Sequence, residues 1–460
     1  MKIKKTIVFL LAISFVLVFS SCGESETVSS DETSSVESAD FSSLTGSEES
    51  TPDTSSTAAE SEEFSAPASD TRESSKASGS SRSSSKAVSN VNSTTVKPPT
   101  NTALDYTKYN LKTYMQPVWL GNTVYNEIVM FTPNAVTKQM DPAPLLYTPK
   151  EILSVRSYDL KTEYEEGRDY VIIDGKIALT ESSRIGSWKY DEYYLTTPSS
   201  VSLPSIAASG RFLVFGNGAT FAPKQVCVTY THTDPWTGPV PRYYGDKLKN
   251  TAKLLAEKKP LKIVYNGDSI SAGCESSAFC GIAPNMPMWT DLVTEELKTV
   301  TGAPITAVNT AVGGTNSIWG LSEVQQNIVQ HHPDLVILGF GMNDGTGNLA
   351  PDAYQLNFER IIKAVRASNP DCEFLLVSTT LPNPDANGWV GMQAKYEANL
   401  EAIAAKTEGV AVAKMTEMHQ HLMTKKRYLD MTGNNVNHPN DFLIRIQAQV
   451  ISQALIKNVK

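Results

Sequence analysis

The sequence is poor in the side chains that bind metals. Its 460 residues include only five cysteines and six histidines, and no two cysteines are spaced Cys-x-x-Cys. Zinc sites usually draw their ligands from closely spaced pairs of such residues. We therefore expect no metal site in this protein.

The sequence also lacks an excess of basic residues. The formal net charge is −9, and between Gly23 and Thr100 fourteen acidic residues outnumber five basic ones. The chain after Thr100 is almost neutral. Because binding to the phosphates of a nucleic acid requires clustered Lys and Arg, we expect no nucleic-acid partner.

Residues 1–22 have the pattern of an export signal. Three lysines within the first five residues precede an apolar run, residues 7–19, that is short for a membrane span. The run ends in Phe-Ser-Ser-Cys22, which resembles a bacterial lipobox except that Phe19 stands where Leu is preferred. We expect an extracellular protein anchored to the bacterial cell membrane by a lipid on Cys22, with ordinary signal cleavage as the alternative.

In an exported protein, Cys274 and Cys280 are close enough in sequence to form a local disulfide, or they remain thiols.

Two segments of different composition follow the signal. Residues 23–100 are rich in Ser, Thr, Asp and Glu, and they hold too few apolar side chains to offset the entropy of ordering, so we expect a disordered linker. Residues 101–244, the β-rich segment, contain short runs of strand-forming residues. The clearest runs, residues 170–173 and 176–179, flank an Asp-Gly pair that suits a type I′ hairpin turn. We predict a β-sandwich domain, jelly-roll-like, for the β-rich segment.

Residues 245–460, the α/β segment, alternate short apolar runs with amphipathic stretches. Such alternation predicts an α/β fold with a parallel sheet covered on both faces. The predicted strands are residues 262–266, 305–309, 334–340, 373–378 and 409–413, and the predicted helices are residues 289–300, 318–330, 353–368, 392–406 and 441–457.

Four short motifs mark the ends of these elements. Ser269 follows the first predicted strand in the sequence Gly-Asp-Ser, Gly314 follows the second, Asn343 follows the third, and His438 precedes the last helix. Each motif alone has an ordinary structural interpretation as a turn or a helix cap. Because parallel strands place their carboxyl ends at one edge of the sheet, where binding sites form, we expect the four motifs to meet there.

The order Ser, Gly, Asn, His resembles the SGNH (GDSL-like) hydrolase family over residues 261–460. The resemblance implies a three-layer α/β/α domain with a five-stranded parallel sheet. It also implies Ser269 as the nucleophile, His438 as the general base, and the N–H groups of Ser269, Gly314 and Asn343 as an oxyanion hole. A serine esterase of this kind needs no metal or organic cofactor.

One position departs from the family pattern. The family usually has an Asp three residues before the histidine, and this chain has Asn435 there. An Asp would hold the imidazole N–H and stabilise the imidazolium, whereas Asn435 offers only a neutral carbonyl oxygen. We predict that Asn435 orients His438, with Asp430, Asp441 or a backbone carbonyl as alternatives. On this reasoning, the Asn435→Asp change keeps or raises activity near neutral pH.

Two tryptophans and the domain order suggest a substrate. Trp319 follows the glycine motif and Trp389 lies in a Pro-rich loop after the fourth strand, so we predict that both stack on sugar rings, with packing in the core as the alternative. A β-sandwich before a hydrolase domain resembles two-domain carbohydrate acetyl esterases. This resemblance implies an acetylated polysaccharide, such as xylan or mannan, with O-acetylated peptidoglycan second. The alternative function is a non-catalytic, glycan-binding surface lipoprotein with a degenerate hydrolase fold.

Overall fold

The computed structural model describes residues 105–457. These residues belong to one compact unit. The predicted signal, the lipid site at Cys22 and the linker of residues 23–100 lie outside the described residues and stay predictions. Among the helices of the described part, none combines the length and the hydropathy that crossing a bilayer requires.

The β-rich segment folds into three antiparallel sheets of three strands each. Their strand orders are β1-β9-β3, β2-β5-β4 and β6-β8-β7. The predicted hairpin is β4–β5, with Asp174 and Gly175 at its turn, so this part of the prediction is confirmed. The jelly-roll arrangement stays a prediction. The strands are β1 Thr123–Met130, β2 Ala143–Pro144, β3 Pro149–Ser157, β4 Tyr170–Ile173, β5 Lys176–Leu179, β6 Tyr194–Leu195, β7 Ser202–Pro204, β8 Phe212–Val214 and β9 Gln225–His232. The segment also holds the short helices α1 Leu111–Tyr114, α2 Tyr190–Tyr193 and α3 Gly218–Phe221.

The α/β segment holds the predicted five-stranded parallel sheet, in the order β11-β10-β12-β13-β14. Such a sheet fits the α/β/α domain that the family resemblance implies. The strands are β10 Leu261–Gly267, β11 Ile305–Asn309, β12 Leu335–Gly339, β13 Glu373–Val377 and β14 Val410–Ala413. The helices are α4 Lys249–Ala256, α5 Trp289–Thr301, α6 Ser317–Ser322, α7 Val324–Asn327, α8 Met342–Thr346, α9 Pro351–Ser368, α10 Tyr396–Lys406, α11 Met415–Met423 and α12 Asp441–Leu455.

One predicted helix is wrong in its continuity. Residues 318–330 do not form a single helix, because the chain breaks at Glu323 into α6 and α7. The Glu323 N–H bonds to both the Leu321 and the Trp319 carbonyl oxygens, which tightens the last turn of α6 and ends it.

Alternate residues of each parallel strand enter two separate cores. In β12, Leu335 and Ile337 pack with α5 and α12 on one face, whereas Val336 and Leu338 pack with α9 and α10 on the other. This alternation follows from the period of two in a strand. It explains why the central strands β12 and β13 are mostly apolar, since both of their faces are covered, whereas the edge strand β11 has exposed residues.

Helix α12 is buried almost all round. Fourteen of its 15 residues are buried, among them Arg445, Gln449 and Ser452. Gln449 donates to the carbonyl oxygens of Tyr114 and Gln116, both in the β-rich segment, at 2.6 and 2.9 Å. The β-rich segment therefore covers the polar side of α12.

Candidate active site

Ser269 lies in the loop after β10, at the carboxyl edge of the parallel sheet. Gly267 and Gly339 face each other at the ends of β10 and β12, and a Cβ on Gly267 would lie 2.2 Å from the Gly339 carbonyl oxygen. Only glycine permits this approach. The Asp268 N–H donates to the same carbonyl at 3.2 Å, and the Asp268 carboxylate accepts from the Ile270 N–H at 3.0 Å. These contacts hold Ser269 on a tight turn.

His438 is carried by a loop that precedes α12. The Asn434 side-chain oxygen accepts from three backbone N–H groups, those of residues 436–438, at 2.9–3.0 Å. Asn side chains commonly organise turns in this way. The ordered loop brings His438 Nε2 to 2.8 Å from Ser269 Oγ. This is the distance across which an imidazole can take a proton from a hydroxyl.

The glycine and asparagine motifs lie at the same edge. Gly314 has a φ of +77°, and a Cβ on the preceding Gly313 would lie 3.9 Å from Ser269 Cβ, so this loop passes beside the serine. Asn343 Nδ2 donates to the Thr315 carbonyl at 2.7 Å, which joins the third motif to the second. Backbone and amide N–H groups collected at one edge are suited to binding an oxyanion.

The structure does not bring Asn435 to the imidazole. Its buried Oδ1 accepts from Tyr193 Oη at 3.0 Å and from Asn383 Nδ2 at 3.1 Å. Its Nδ2 donates to the Val214 carbonyl at 2.8 Å. Because both polar atoms of the side chain are engaged by these neighbours, the expectation that Asn435 orients His438 is corrected. Asn435 instead joins the histidine loop to the β-rich segment.

The two aspartates considered as alternatives are also engaged elsewhere. Asp430 accepts from the Met130 N–H at 2.9 Å and forms an ion pair with Arg427 at 2.8 Å. Asp441 accepts from the Ser277 N–H at 2.8 Å, and burial raises the pKa of its carboxyl to about 6. Neither contact points to the imidazole.

The acidic group that faces the imidazole is Glu275, which sequence reasoning missed. Its Oε1 lies 3.6 Å from His438 Nδ1. Its Oε2 accepts from the Gly218 backbone N–H and from the Cys280 thiol, with Sγ at 3.5 Å. An acidic residue six positions after the serine belongs to none of the four motifs, so only the spatial arrangement reveals it.

Two further buried carboxyl groups adjoin these motifs. Burial raises the pKa of Asp268 to about 7, and the nearby Asp344 carboxyl contributes to the rise. Burial also raises the pKa of Asp344, although Ser317 donates to this carboxyl through its N–H at 3.0 Å and through its hydroxyl. The edge therefore holds acidic groups whose charge the surrounding protein does not favour.

Both tryptophans predicted to bind sugar are half-buried. The Trp319 ring lies edge-on to Phe340, with centroids 6.5 Å apart, and the side chain packs against the core under α9 and α10. The Trp389 side chain packs with a cluster that includes Ala386 and Val436. Packing thus accounts for part of each side chain, and stacking on sugar rings stays a prediction.

Cys280 is a thiol in the structure, so the disulfide considered for this loop is not formed there. Burial and the neighbouring Glu275 carboxylate raise the pKa of the Cys280 thiol to about 12. Within residues 105–457, no group of three His, Cys, Asp or Glu side chains is arranged to hold a metal ion.

Part of the chain is similar to known proteins. Residues 266–442 match the model of the GDSL-like lipase/acylhydrolase family, so the chain contains a GDSL-like lipase/acylhydrolase domain. An arylesterase from Vibrio mimicus is 25% identical over 199 residues, which cover 43% of this chain and 90% of the relative. Thioesterase 1/protease 1/lysophospholipase L1 from Escherichia coli K12 is 30% identical over 116 residues, 25% of this chain and 50% of the relative.

Solved structures include similar chains. A two-domain esterase active on acetylated mannans is 22% identical, with a TM-score of 0.38, covering 47% of this chain and 53% of that one. An acetylxylan esterase from Geobacillus stearothermophilus is 14% identical, with a TM-score of 0.35, covering 42% of this chain and 92% of that one. The chain spans about half the length of the two-domain esterase and of the Escherichia coli relative.

Proposed function

We propose that this protein is a serine carboxylic ester hydrolase. The observation that carries the proposal is the 2.8 Å contact between His438 Nε2 and Ser269 Oγ at the carboxyl edge of the sheet. The GDSL-like lipase/acylhydrolase domain supports it, as does the similarity to an arylesterase over most of that relative's length.

In the proposed mechanism, His438 takes the proton of Ser269 as Oγ attacks the ester carbonyl carbon. The N–H groups of Ser269, Gly314 and Asn343 bind the negative oxygen of the tetrahedral intermediate. His438 then protonates the leaving alcohol, and the acyl group stays on Ser269. Water, activated by the same imidazole, hydrolyses this acyl-enzyme and regenerates the hydroxyl.

The proposed substrate is an O-acetyl or other short acyl ester on a polysaccharide. Val312 and Ile318, on either side of the glycine motif, are 45% and 54% exposed. A long acyl chain would need an enclosed apolar cavity, whereas an exposed edge leaves room for a polymer. The loop that carries Trp389 also contacts the β-rich segment, because the Asp385 carboxylate accepts from Ser205 Oγ at 2.7 Å. The Trp389 loop and the β-rich segment therefore lie side by side.

We also propose that the enzyme is extracellular and is held on the bacterial cell membrane by a lipid on Cys22. The basic start, the short apolar run and the lipobox-like ending of residues 1–22 support this proposal. A Cys22→Ser variant is expected to leave the membrane fraction. If the wild type and Cys22→Ser are retained equally in the membrane fraction, lipid attachment at Cys22 is contradicted.

Hydrolysis of p-nitrophenyl acetate by the purified protein tests the proposed function. Ser269→Ala is expected to lower kcat by roughly 10³-fold or more, because the nucleophile is lost. Ser271→Ala is the matched control, since this neighbouring hydroxyl donates only to the Gly339 carbonyl, at 3.2 Å. If the wild type and Ser269→Ala are equally inert, the esterase proposal fails, and the result favours the alternative of a non-catalytic, glycan-binding protein. Acetate release from acetylated xylan, mannan and peptidoglycan then distinguishes the substrates.

A further inference from the structure

Resting on the proposed function, we propose that Glu275 is the positioning residue of His438, in the role that the family gives to an Asp at position 435. We further propose that the β-rich segment takes part in the active centre, because the N–H of Gly218 holds the Glu275 carboxylate in place.

The first observation concerns the far nitrogen of the imidazole. While Nε2 of His438 faces Ser269, its Nδ1 is buried and has no hydrogen-bond partner among residues 105–457. The Glu275 Oε1 atom lies 3.6 Å from this nitrogen, and the two side chains are only 10% and 17% exposed. A buried ring nitrogen without a partner is costly. Hydrogen bonds at a catalytic site are often long before substrate binds, and a small rotation of Glu275 would close this one.

The second observation is that the fold constrains Glu275 from several sides. Its φ is +72°, a conformation that residues other than glycine adopt rarely and that tends to occur at functional sites. Gly433, in the histidine loop, lies so close that a Cβ there would be 2.5 Å from Glu275 Cβ. The Gly218 N–H and the Cys280 thiol both donate to Oε2, which leaves Oε1 to face the ring.

These contacts assign a chemical role. After that rotation the Glu275 carboxylate accepts the Nδ1–H, so the tautomer with a free Nε2 lone pair faces Ser269. When Nε2 takes the serine proton, the ring becomes a cation, and the adjacent carboxylate stabilises it without taking a proton itself. Asn435 does not compete for this role, because its side-chain atoms bond to Tyr193, Asn383 and Val214.

Several other titratable groups lie near this pair. The Ser269 hydroxyl and the Glu275 carboxylate face His438, and the Cys280 thiol faces Glu275. Asp441 acts on Cys280 through its charge, and Asp268 precedes the serine. All of these remain in a Glu275 variant, so only a displacement of the pH profile relative to the wild type reports on Glu275.

The test compares Glu275→Gln with the wild type on p-nitrophenyl acetate from pH 5 to pH 9. We expect kcat to fall roughly 10²–10⁴-fold, with KM changed by less than about threefold, since loss of the acidic partner of a catalytic histidine has effects of this size. The acid limb of the pH profile should move to lower pH, because an imidazole without an adjacent negative charge gives up its proton more easily. The matched control is Glu373→Gln. Glu373 is also a buried carboxylate and accepts two backbone N–H groups, at 2.8 and 2.9 Å, but it lies at the start of β13, away from the carboxyl edge of the sheet. This control should leave the pH profile in place.

A Glu275→Gln enzyme with kcat within about threefold of the wild type and an unmoved acid limb would overturn the inference. If Ser269→Ala is inert in the same assays, the proposed esterase function survives that result. If Ser269→Ala is as active as the wild type, the proposed function itself fails. If the Glu275→Gln variant does not fold, Glu275→Asp takes its place in the test. The shorter side chain keeps the negative charge but moves it away from the imidazole. The acid limb of the pH profile should therefore stay in place while kcat falls about tenfold. An undiminished kcat in that variant would equally reject the inference.

Discussion

Asp169 in the β-rich segment and the carboxyl groups at the carboxyl edge of the parallel sheet are buried in different surroundings. In the β-rich segment, the Asp169 side chain is fully buried and pairs with Arg184 at 2.7 Å and Arg168 at 3.1 Å, which holds the pKa of its carboxyl far below its usual range. At the carboxyl edge of the parallel sheet, burial raises the pKa of the Asp268 and Asp344 carboxyls.

The difference separates carboxylates whose charge is stabilised by ion pairs from carboxyl groups whose charge is disfavoured by burial. A paired carboxylate contributes to stability, whereas a buried carboxyl whose pKa is raised favours the neutral form and makes the folded state less stable as pH rises. Glu275 differs from both kinds, because it faces the imidazole of His438. The cation that it faces forms only when His438 takes a proton, so its full electrostatic effect is reserved for the proposed reaction.

The Asn435→Asp variant sharpens this comparison with the largest expected effect. It replaces the Nδ2 donor to the Val214 carbonyl by a second oxygen and places a negative charge in a fully buried position without a cation. We expect a loss of about 3 kcal/mol in the free energy of unfolding at pH 7.5 and no gain in activity, contrary to the expectation from the family pattern.

Urea unfolding at two pH values checks this result. Because the folded state favours the protonated Asp, the loss should be smaller at pH 4.5 than at pH 7.5. Asn387→Asp is the control, since Asn387 is exposed and a charge there stays in water. Unchanged stability of Asn435→Asp at both pH values would contradict the structural role of Asn435.

The Asp169→Asn variant tests the other side of the comparison. Because the folded state lowers the pKa of Asp169, its stabilisation is present above a pH of about 4, the pKa in the unfolded chain, and is lost as pH falls further. We expect Asp169→Asn to cost about 2 kcal/mol at pH 7, progressively less below pH 4, and to leave kcat unchanged.

Thermal unfolding and esterase assays measure both effects. Asp174→Asn, at the exposed hairpin turn, is the control and should change neither stability nor activity. If Asp169→Asn lowered kcat while leaving stability intact, the Asp169 charge would contribute to activity rather than to stability, and the comparison would fail.

The Gly218→Ala variant would break the comparison if the β-rich segment were only a scaffold. An added Cβ would lie 2.8 Å from Glu275 Oε2 and 3.0 Å from Cys280 Sγ, so the carboxylate must shift. We expect kcat to fall about tenfold, because small displacements of catalytic groups have effects of this order or larger. Ala219→Ser, at the next and exposed position of α3, should retain full activity. Full activity of Gly218→Ala would contradict the proposal that the β-rich segment takes part in the active centre.

The sequence motifs located those residues of the candidate site that lie next to the ends of strands. Ser269, Gly314 and His438 lie in loops, and Asn343 lies in the first turn of α8, directly after the β12 strand. These positions follow from the order of strands and helices, and parallel strands bring them to one edge. The partner of His438 could not be found in this way. Glu275 belongs to no motif, and the groups that hold it include the Gly218 N–H, which any residue except proline would present.

The sequence by itself determined the alternation of short apolar strands with amphipathic helices, and hence the parallel sheet, because burial of the central strands on both faces requires mostly apolar residues. It also determined which serine and which histidine meet at the carboxyl edge. Only the tertiary structure decided that Asn435 bonds to Tyr193 and Val214 and that Glu275 faces the imidazole. The reason is physical: these contacts join residues 163 to 242 positions apart. Such long-range proximity is set by tertiary packing, between the two segments for Asn435 and between two loops of the α/β segment for Glu275, rather than by any local preference of the chain.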